Sequence, residues 1–150
     1  MSYITTAQLE ARLGATLYAR LTDRVNGATA DAAVGQQIVD EAEAVADGYL
    51  AARYATPIDL VAHPELGTML TARVLDVAEW LAWKSSPFVS DVPERLRALH
   101  EESLRWFEMV ADGRLSLPAA APPASRRARD DGPHYRAQPR RFTAEELEGL

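Results

Sequence analysis

One stretch, residues 34–57, constrains the fold more than any other part of the chain. Its apolar residues recur at alternating steps of four and three, the period of one face of an α-helix. These residues are Val34, Ile38, Ala42, Val45, Tyr49 and Ala52. Pro57 disfavours helical geometry at the preceding residue and has no N–H to donate, so the pattern predicts a long helix that ends near Ala55.

Gly48 lies inside this predicted helix, where glycine costs about 1 kcal/mol relative to alanine. Two interpretations of this residue stay open. Either another backbone passes close to it, or the helix tolerates the glycine without using it.

Three acids of the same helix, Asp40, Glu43 and Asp47, share one face. The simplest interpretation is a face exposed to solvent. The alternatives are contact with arginines of a neighbouring subunit, and acid–base chemistry, which would require that one acid be desolvated.

Helices are also predicted before this stretch. Residues 1–24 indicate one or two short helices, capped by Thr5 or Thr6, with Gly14 as a stop or kink. After a loop, Asp31 can cap the central helix.

Two more helices are predicted after the central one. Pro64 suits the first position of a helix that ends near Lys84. Ser90 or Asp91 can cap a last helix, and Gly113 is well placed as its C-terminal glycine.

These patterns predict an all-α fold, a small antiparallel bundle of about four to five helices, because short connections favour antiparallel neighbours. No window of the sequence shows sustained strand alternation. The predicted core is Ile38, Val45, Tyr49, Leu70, Val74, Val77, Leu81, Leu96, Leu99 and Phe107, and Trp80, Trp83 and Trp106 are expected to join it.

The chain divides into a helical domain over residues 1–113 and an extended, Pro/Arg-rich arm over residues 114–150. The arm ends in a segment that can form a short helix, since Thr143 and Glu146 have capping-box spacing. A helix so short needs a partner to be stable. Its apolar anchors are Phe142, Leu147 and Leu150.

Charge limits the partners that this chain can have. Residues 1–113 hold nine basic and seventeen acidic residues, a net charge of −8, whereas residues 114–150 hold seven and five, a net charge of +2. An acidic body argues against wrapping DNA, because phosphate binding needs a basic surface. For the arm, a solvated tail, docking on an acidic protein and DNA contact stay open. The arginines that could make such contacts are Arg126, Arg127, Arg129, Arg136, Arg140 and Arg141.

Nothing in the sequence indicates catalysis. The chain has no cysteine, no nucleophile elbow, no Walker loop and no dinucleotide fingerprint. His63, His100 and His134 lack zinc-site spacing, and His100 beside Glu101 is expected on a solvated helix face. No apolar run approaches the roughly 18 residues of a membrane span. The expectation is a protein that is not an enzyme, with no cofactor, metal or membrane contact.

Several short motifs resemble those of one family. The central helix ends in the run DGYLAARY, residues 47–54, followed by Pro57; the chain opens with Tyr3-Ile4-Thr5 and closes with Arg141-Phe142-Thr143. In order and spacing they are similar to small Mu-like phage proteins, whose genes lie among the head and head–tail joining genes. The resemblance spans nearly the whole chain.

The resemblance implies a head–tail connector, also called an adaptor or head-completion protein. Relatives of this kind are helical bundles that form a ring beneath the portal and bridge it to the tail. The implied partners are the portal protein, a tail-side connector or stopper and other copies of the chain, with no specific nucleic-acid contact. The implied location is the head–tail interface of the virion, and the bacterial cytoplasm during assembly.

The residues expected at interfaces fall into two groups. At the end of the central helix they are Asp47, Gly48, Tyr49, Arg53 and Tyr54, although Arg53 and Tyr54 can equally serve the helix itself through its dipole and through packing. In the arm they are Arg126, Arg127, Arg129, Arg140, Arg141, Phe142, Leu147 and Leu150.

Two other functions remain as alternatives. One is a DNA-binding or packaging-associated helical module of a phage, which would need a basic recognition helix. The other is a small helical enzyme, which would need a desolvated acid or base.

Overall fold

The structure, a computed structural model, describes residues 2–117. It contains five α-helices in chain order: α1 (Thr6–Leu13), α2 (Ala15–Thr22), α3 (Ala32–Leu50), α4 (Pro64–Ser85) and α5 (Glu94–Ala111). No strand occurs among the described residues. The predicted all-α class and the small helical bundle are therefore confirmed.

The longest helix, α4, lies at the centre of the bundle and contacts each of the other four. It runs antiparallel to α5, since Asp76 meets Ser103 and Trp80 meets His100, and antiparallel to α3, since Phe88 after α4 meets Gly27 before α3. The C-terminal ends of α3 and α5 therefore lie together. At that end Arg53 packs against Gly113, and at the opposite end Phe88 packs against Gly27. Within residues 2–117, no helix combines the length and the apolar character that a membrane span needs.

The two short helices of the N-terminal hairpin form as predicted. The Thr5 side chain accepts the Gln8 N–H while the Gln8 side chain bonds back to Thr5, a complete capping box. Gly14 then takes a positive φ of 84°, which side chains disfavour, and this separates α1 from α2.

The central helix α3 begins as predicted and ends earlier than predicted. Asp31 caps it by accepting the N–H groups of Ala33 and Val34. It ends at Leu50 rather than near Ala55, because the Leu50 carbonyl accepts from Arg53 at 3.0 Å and the chain tightens into a turn.

The buried stripe of α3 is also rotated from the predicted one. Its buried residues are Gly35, Ile38, Val39, Ala42, Ala46 and Leu50. Val45 and Tyr49 are half-buried at the edge of this stripe, and Ala52 is exposed beyond the end of the helix. The predicted stripe was wrong by about one residue because alanine and glycine fill the closest contacts with neighbouring helices, and periodicity alone gave them little weight.

Proline residues determine where the last two helices begin. Pro64 is the first residue of α4, as predicted. The prediction that Ser90 or Asp91 caps α5 is wrong, since Pro93 occupies the cap and no side chain bonds there. Proline disfavours helical geometry at the residue before it, so α5 cannot begin earlier. Gly113 has a φ of 79°, as expected of a C-terminal glycine.

The core is built from six of the predicted residues together with the N-terminal hairpin. Buried as predicted are Ile38, Leu70, Val74, Val77, Leu96 and Phe107. Only half-buried are Val45, Tyr49, Leu81 and Leu99, and the same holds for Trp80, Trp83 and Trp106. The hairpin supplies fully buried side chains that the core prediction omitted, among them Ile4, Leu9 and Leu21.

One carboxylate organises the loop between α2 and α3. Oδ1 of the buried Asp23 accepts the N–H groups of Val25 (2.8 Å) and Asn26 (3.1 Å), and Oδ2 accepts those of Ala28 (3.0 Å) and Thr29 (3.1 Å). These four backbone bonds hold the pKa of the Asp23 carboxyl well below its ordinary value. The sequence predicts a turn here, but it does not show which residue holds the turn together.

An Asp23→Asn variant is expected to melt below the parent at pH 7, because an amide replaces the charged acceptor of these bonds. The folded-state pKa lies below the unfolded value, so the contribution of the carboxylate is complete above about pH 4 and is lost as the pH falls through the folded pKa. The gap between the two melting temperatures should therefore shrink on acidification.

Thermal melts from about pH 7 down to about pH 2 test this prediction. Asp91→Asn is the matched control, since that side chain is 88% exposed. A gap between parent and Asp23→Asn that stays constant across the series would contradict the prediction.

Candidate functional site

The N-terminal segment is bound to α3 through Glu43. One carboxylate oxygen of Glu43 accepts the N–H groups of Tyr3 (2.6 Å) and Ile4 (3.0 Å) and the hydroxyl of Ser2 (2.6 Å). The chain ahead of α1 is thereby held across the middle of α3.

The side chain of Tyr3 extends this contact toward the end of α3. Its buried hydroxyl donates to Asp47 Oδ1 at 2.5 Å and accepts the N–H of Ile58 at 2.8 Å. Burial, and then the hydrogen bond to Asp47, raise the pKa of the Tyr3 hydroxyl well above its ordinary value. Glu43 and Asp47 thus accept hydrogen bonds from the N-terminal segment, so the interpretation of a solvated acidic face is wrong for both. Asp40, on the same face, is exposed.

The last residues of the DGYLAARY run hold the chain that follows α5. Tyr49 stacks on Phe107 of α5, with ring centroids 6.1 Å apart. The Arg53 guanidinium lies against Gly113, where any Cβ would overlap it. Tyr54 is buried at 8% exposure.

The hydroxyl of Tyr54 accepts the N–H of Leu117 at 2.8 Å. Asp47, Tyr49, Arg53 and Tyr54 therefore form one structural unit, which we call the α3 clasp. It fastens the N-terminal segment and the chain after α5 to the same end of α3. A role of the same residues in a subunit interface stays a prediction.

A second polar cluster, which the sequence analysis missed, joins α1, α4 and α5. Arg12 contacts two carboxylates of α4, Asp76 and Glu79, and its Nε lies 2.8 Å from Glu79 Oε2. Both acidic side chains are only 9% exposed. Ser103 of α5 donates to the other Asp76 oxygen at 2.7 Å, and Arg73 lies 4.0 Å from it. The sequence signal that could have revealed this cluster is the pair Asp76 and Glu79, two acids three residues apart in an otherwise apolar helix.

The aromatic groups of α4 and α5 account for the half-buried His100. Its ring stacks on Trp80 with the ring centroids 4.0 Å apart, and Lys84 Nζ lies over the Trp80 ring, 4.6 Å from its centroid. Burial lowers the pKa of His100. The expectation of a fully solvated position was therefore wrong. Across residues 2–117, no group of three or more histidine or acidic side chains is placed to hold a metal ion.

The α3 clasp and the Arg12 cluster both lie in the part of the chain that matches a known protein family. The sequence matches the family described as Bacteriophage Mu, Gp36, over residues 3–133, which spans all five helices and both clusters. The chain belongs to the Gp36 family of phage Mu. It is also similar to gene product J of Escherichia phage Mu, with 32% identity over 115 residues, which are 76% of this chain and 74% of that protein. The resemblance to Mu-like phage proteins is thus confirmed.

The Gp36 match covers the α3 clasp completely and the arm in part. It ends at residue 133, so it includes Arg126, Arg127 and Arg129. It stops before the other predicted contact residues of the arm, namely Arg140, Arg141, Phe142, Leu147 and Leu150. All of these arm residues lie outside the described residues, and their roles stay predictions.

Gly48 is one of three exposed residues in the DGYLAARY run, with Ala51 and Ala52. A Cβ added there would meet no atom within 4 Å, so within residues 2–117 no other backbone approaches it. With Ala44, Val45 and Tyr49 it lines a shallow depression on the outer surface of α3. In this Gp36-family protein, a close approach at Gly48 would have to come from outside the described chain.

Two glycines of α3 allow a matched test. Gly48→Ala is expected to raise the free energy of unfolding by about 0.5–1 kcal/mol, because alanine is the better helix former and nothing obstructs its methyl group. Gly35→Ala should instead lower it by about 1–3 kcal/mol, since its Cβ would overlap the hydroxyl of the buried Tyr18.

Urea unfolding of the parent and both variants, at dilute protein concentration, measures these changes in the free energy of unfolding. The two substitutions are chemically identical and lie on the same helix, so propensity alone would make both stabilising. A Gly48→Ala variant that is less stable than the parent would show that a close contact is made there after all.

Proposed function

We propose that this chain is a structural head–tail connector of a Mu-like phage or phage-like particle, which forms a ring beneath the portal and bridges it to the tail. Membership of the Gp36 family and similarity to a phage Mu gene product support a phage protein. The proposed partners are the portal, a tail-side connector or stopper and other copies of the chain. The proposed place is the head–tail interface of the virion, reached by assembly in the bacterial cytoplasm.

The observation that carries this proposal is the way in which the arm begins. Leu117 is 4% exposed, and its N–H is held by the buried Tyr54. The 33 residues that follow therefore start from a fixed point on a rigid helical body. A connector needs such a body for its own ring and a segment that reaches a neighbouring component.

The charge distribution supports protein partners for both parts. The body carries −8 over residues 1–113, and its acids are either paired within the fold or exposed on the helices. The arm is the basic part, with a net charge of +2 over residues 114–150. A basic segment attached to an acidic body suits docking on other acidic proteins, whose encounter it would steer.

The role proposed here is structural rather than catalytic. The buried carboxylates that acid–base chemistry would need are bonded to Arg12 and Ser103 on α1 and α5. Their partners are positioned to stabilise the contact between helices, which is the simplest purpose of such a cluster.

Particle assembly in the absence of the protein tests the proposal. A lysate from a phage lacking this gene should accumulate DNA-filled heads and separate tails. Adding the purified protein should join them, as scored by electron microscopy and by infectivity. Empty heads in place of filled ones would instead favour the alternative, a packaging-associated DNA-binding module. Gel-shift titrations at low and physiological salt complete the test, since the connector proposal expects no specific DNA complex.

A further inference from the structure

A cavity of about 250 Å³ lies at the end of the bundle opposite the α3 clasp. Leu17 and Arg20 of α2, Trp83 of α4 and the loop before α5 form its walls. Within residues 2–117, Phe88 in that loop is one of three large apolar side chains that are exposed, at 37%. The cavity is thus an apolar opening on the surface of an otherwise well-packed bundle.

Trp83 contributes its side chain to the wall of this cavity. Its indole N–H is buried, so water does not reach it from the cavity, and it has no acceptor among residues 2–117. The signal of this N–H can therefore respond to an occupant of the cavity through the indole ring rather than through a new hydrogen bond.

The size and charge of the cavity restrict what it can hold. Its volume is below the roughly 300–1,000 Å³ of small-molecule sites and suits one large side chain. Among the residues that line it are one cation, Arg20, and one anion, Asp91. A fitting segment would therefore carry an aromatic or aliphatic residue between charges of opposite sign.

We propose that this cavity receives Phe142 from the arm of a second copy of the chain. Phe142 follows Arg140 and Arg141 and precedes Glu145 and Glu146, so an apolar residue stands between a basic and an acidic pair. In this proposed contact the arginines face Asp91 and the glutamates face Arg20. This proposal rests on the proposed ring and names one of its contacts.

The placement of the arm and the cavity allows a neighbouring copy to supply the arm. The arm starts at the clasp, whereas the cavity lies at the other end of α4, whose 22 residues span about 33 Å. Residues 118–141, if extended, reach at most about 80 Å, which is enough for the cavity of the same chain or of a neighbour. In the proposed ring each copy offers a donor at one end and an acceptor at the other, and such contacts between two different surfaces of one protein generate a ring where the rotation between copies closes.

The indole N–H signal of Trp83 in nuclear magnetic resonance spectra reports docking directly, and Trp83→Phe identifies that signal among the three tryptophans. In the full chain, the Trp83 signal should shift progressively as the protein concentration rises, while those of Trp80 and Trp106 stay in place. Phe142→Ser should weaken this association about 10- to 100-fold, because it removes a buried aromatic anchor. Tyr135→Ser, which removes another aromatic of the arm, should leave the association unchanged.

A mixing experiment distinguishes the second copy from the same chain. Labelled Phe142→Ser protein has an intact cavity, so unlabelled parent should restore the shift of its Trp83 signal by supplying an arm. A shift in the parent that is independent of concentration and is not restored by mixing would overturn the assignment to a second copy. Equal behaviour of Phe142→Ser and Tyr135→Ser would overturn the role of Phe142.

The charges provide an independent variant pair. Arg20→Glu should weaken the association, and combining it with Glu145→Arg and Glu146→Arg should recover it, whereas damage to the fold would not be recovered. These measurements use the protein alone. They can therefore fail while particles are still joined, which would leave the proposed function in place and reject only this contact.

Discussion

Replacing Arg12 by methionine is expected to lower the free energy of unfolding by about 3 kcal/mol, one of the largest effects available to a single substitution in this chain. The change leaves Asp76 and Glu79, both 9% exposed, without their main cation. Two neighbouring buried carboxylates then repel each other and are poorly solvated. Because the Arg12 side chain keeps 29% exposure, water replaces part of the lost contact, and the expected cost lies at the lower end for a buried pair.

Equilibrium urea unfolding at pH 7 measures this effect. Arg97→Met is the matched control, because Arg97 is 51% exposed and its acidic partners are more exposed still; it should change stability by less than about 1 kcal/mol. Adding Asp76→Leu and Glu79→Leu to Arg12→Met should recover much of the loss, since apolar residues can replace a buried ion pair. An Arg12→Met variant as stable as Arg97→Met would show that the cluster contributes little.

Local signals were predicted well because they depend only on neighbouring residues. Thr5, Asp31, Pro64 and Gly113 each satisfy or replace a backbone group at the end of a helix, and each has the predicted role. The predicted cap of α5 was wrong because Pro93 disfavours helical geometry at the residue before it, so the helix begins after both polar candidates.

Contacts between distant residues could not be predicted in the same way. Tyr3 and Asp47 are 44 positions apart, and Arg12 and Asp76 are 64 positions apart. A sequence pattern shows that an acid lies on an apolar helix, but not which cation will reach it. For this reason Glu43 and Asp47 were expected in solvent although they bind the N-terminal segment.

In the candidate site, too, the local motif was predicted from the sequence whereas the contacts between distant residues were not. The run DGYLAARY pointed correctly to the family and to one end of α3. The contacts of Tyr49, Arg53 and Tyr54 within the chain became visible only when α5 and Leu117 were placed beside them. A motif can therefore mark a family through the packing that it requires, before any contact with a partner is considered.

The packed part of the chain extends beyond the residue at which the sequence divides the body from the arm. The sequence divides body from arm after residue 113, yet Leu115 packs against the core and Leu117 is buried within it. Leu117 is thus the last described residue that packs into the body, and experiments on the arm must cut after it to leave the described contacts intact.

Deleting residues 118–150 is expected to leave the melting temperature of the body nearly unchanged and to abolish the joining of heads to tails. The body keeps every described contact in this truncation, including the bond between Leu117 and Tyr54. Joining is lost because the basic stretch that steers the encounter and the apolar residues that anchor it are both removed. Thermal melts and the joining reaction with heads and tails from a mutant lysate measure the two effects.

A second truncation, lacking residues 115–150, is the matched control. It also removes the buried Leu117 and its bond to Tyr54, so it should lower the stability of the body by about 2–3 kcal/mol. If the shorter deletion already unfolds the body, the arm is part of the fold, and the contacts of the clasp are not sufficient to stabilise the body. If joining survives the shorter deletion, the arm is not what reaches the partner. The exposed depression beside Gly48 on α3 is then the surface to mutate next, because no other part of residues 2–117 packs against Gly48 there.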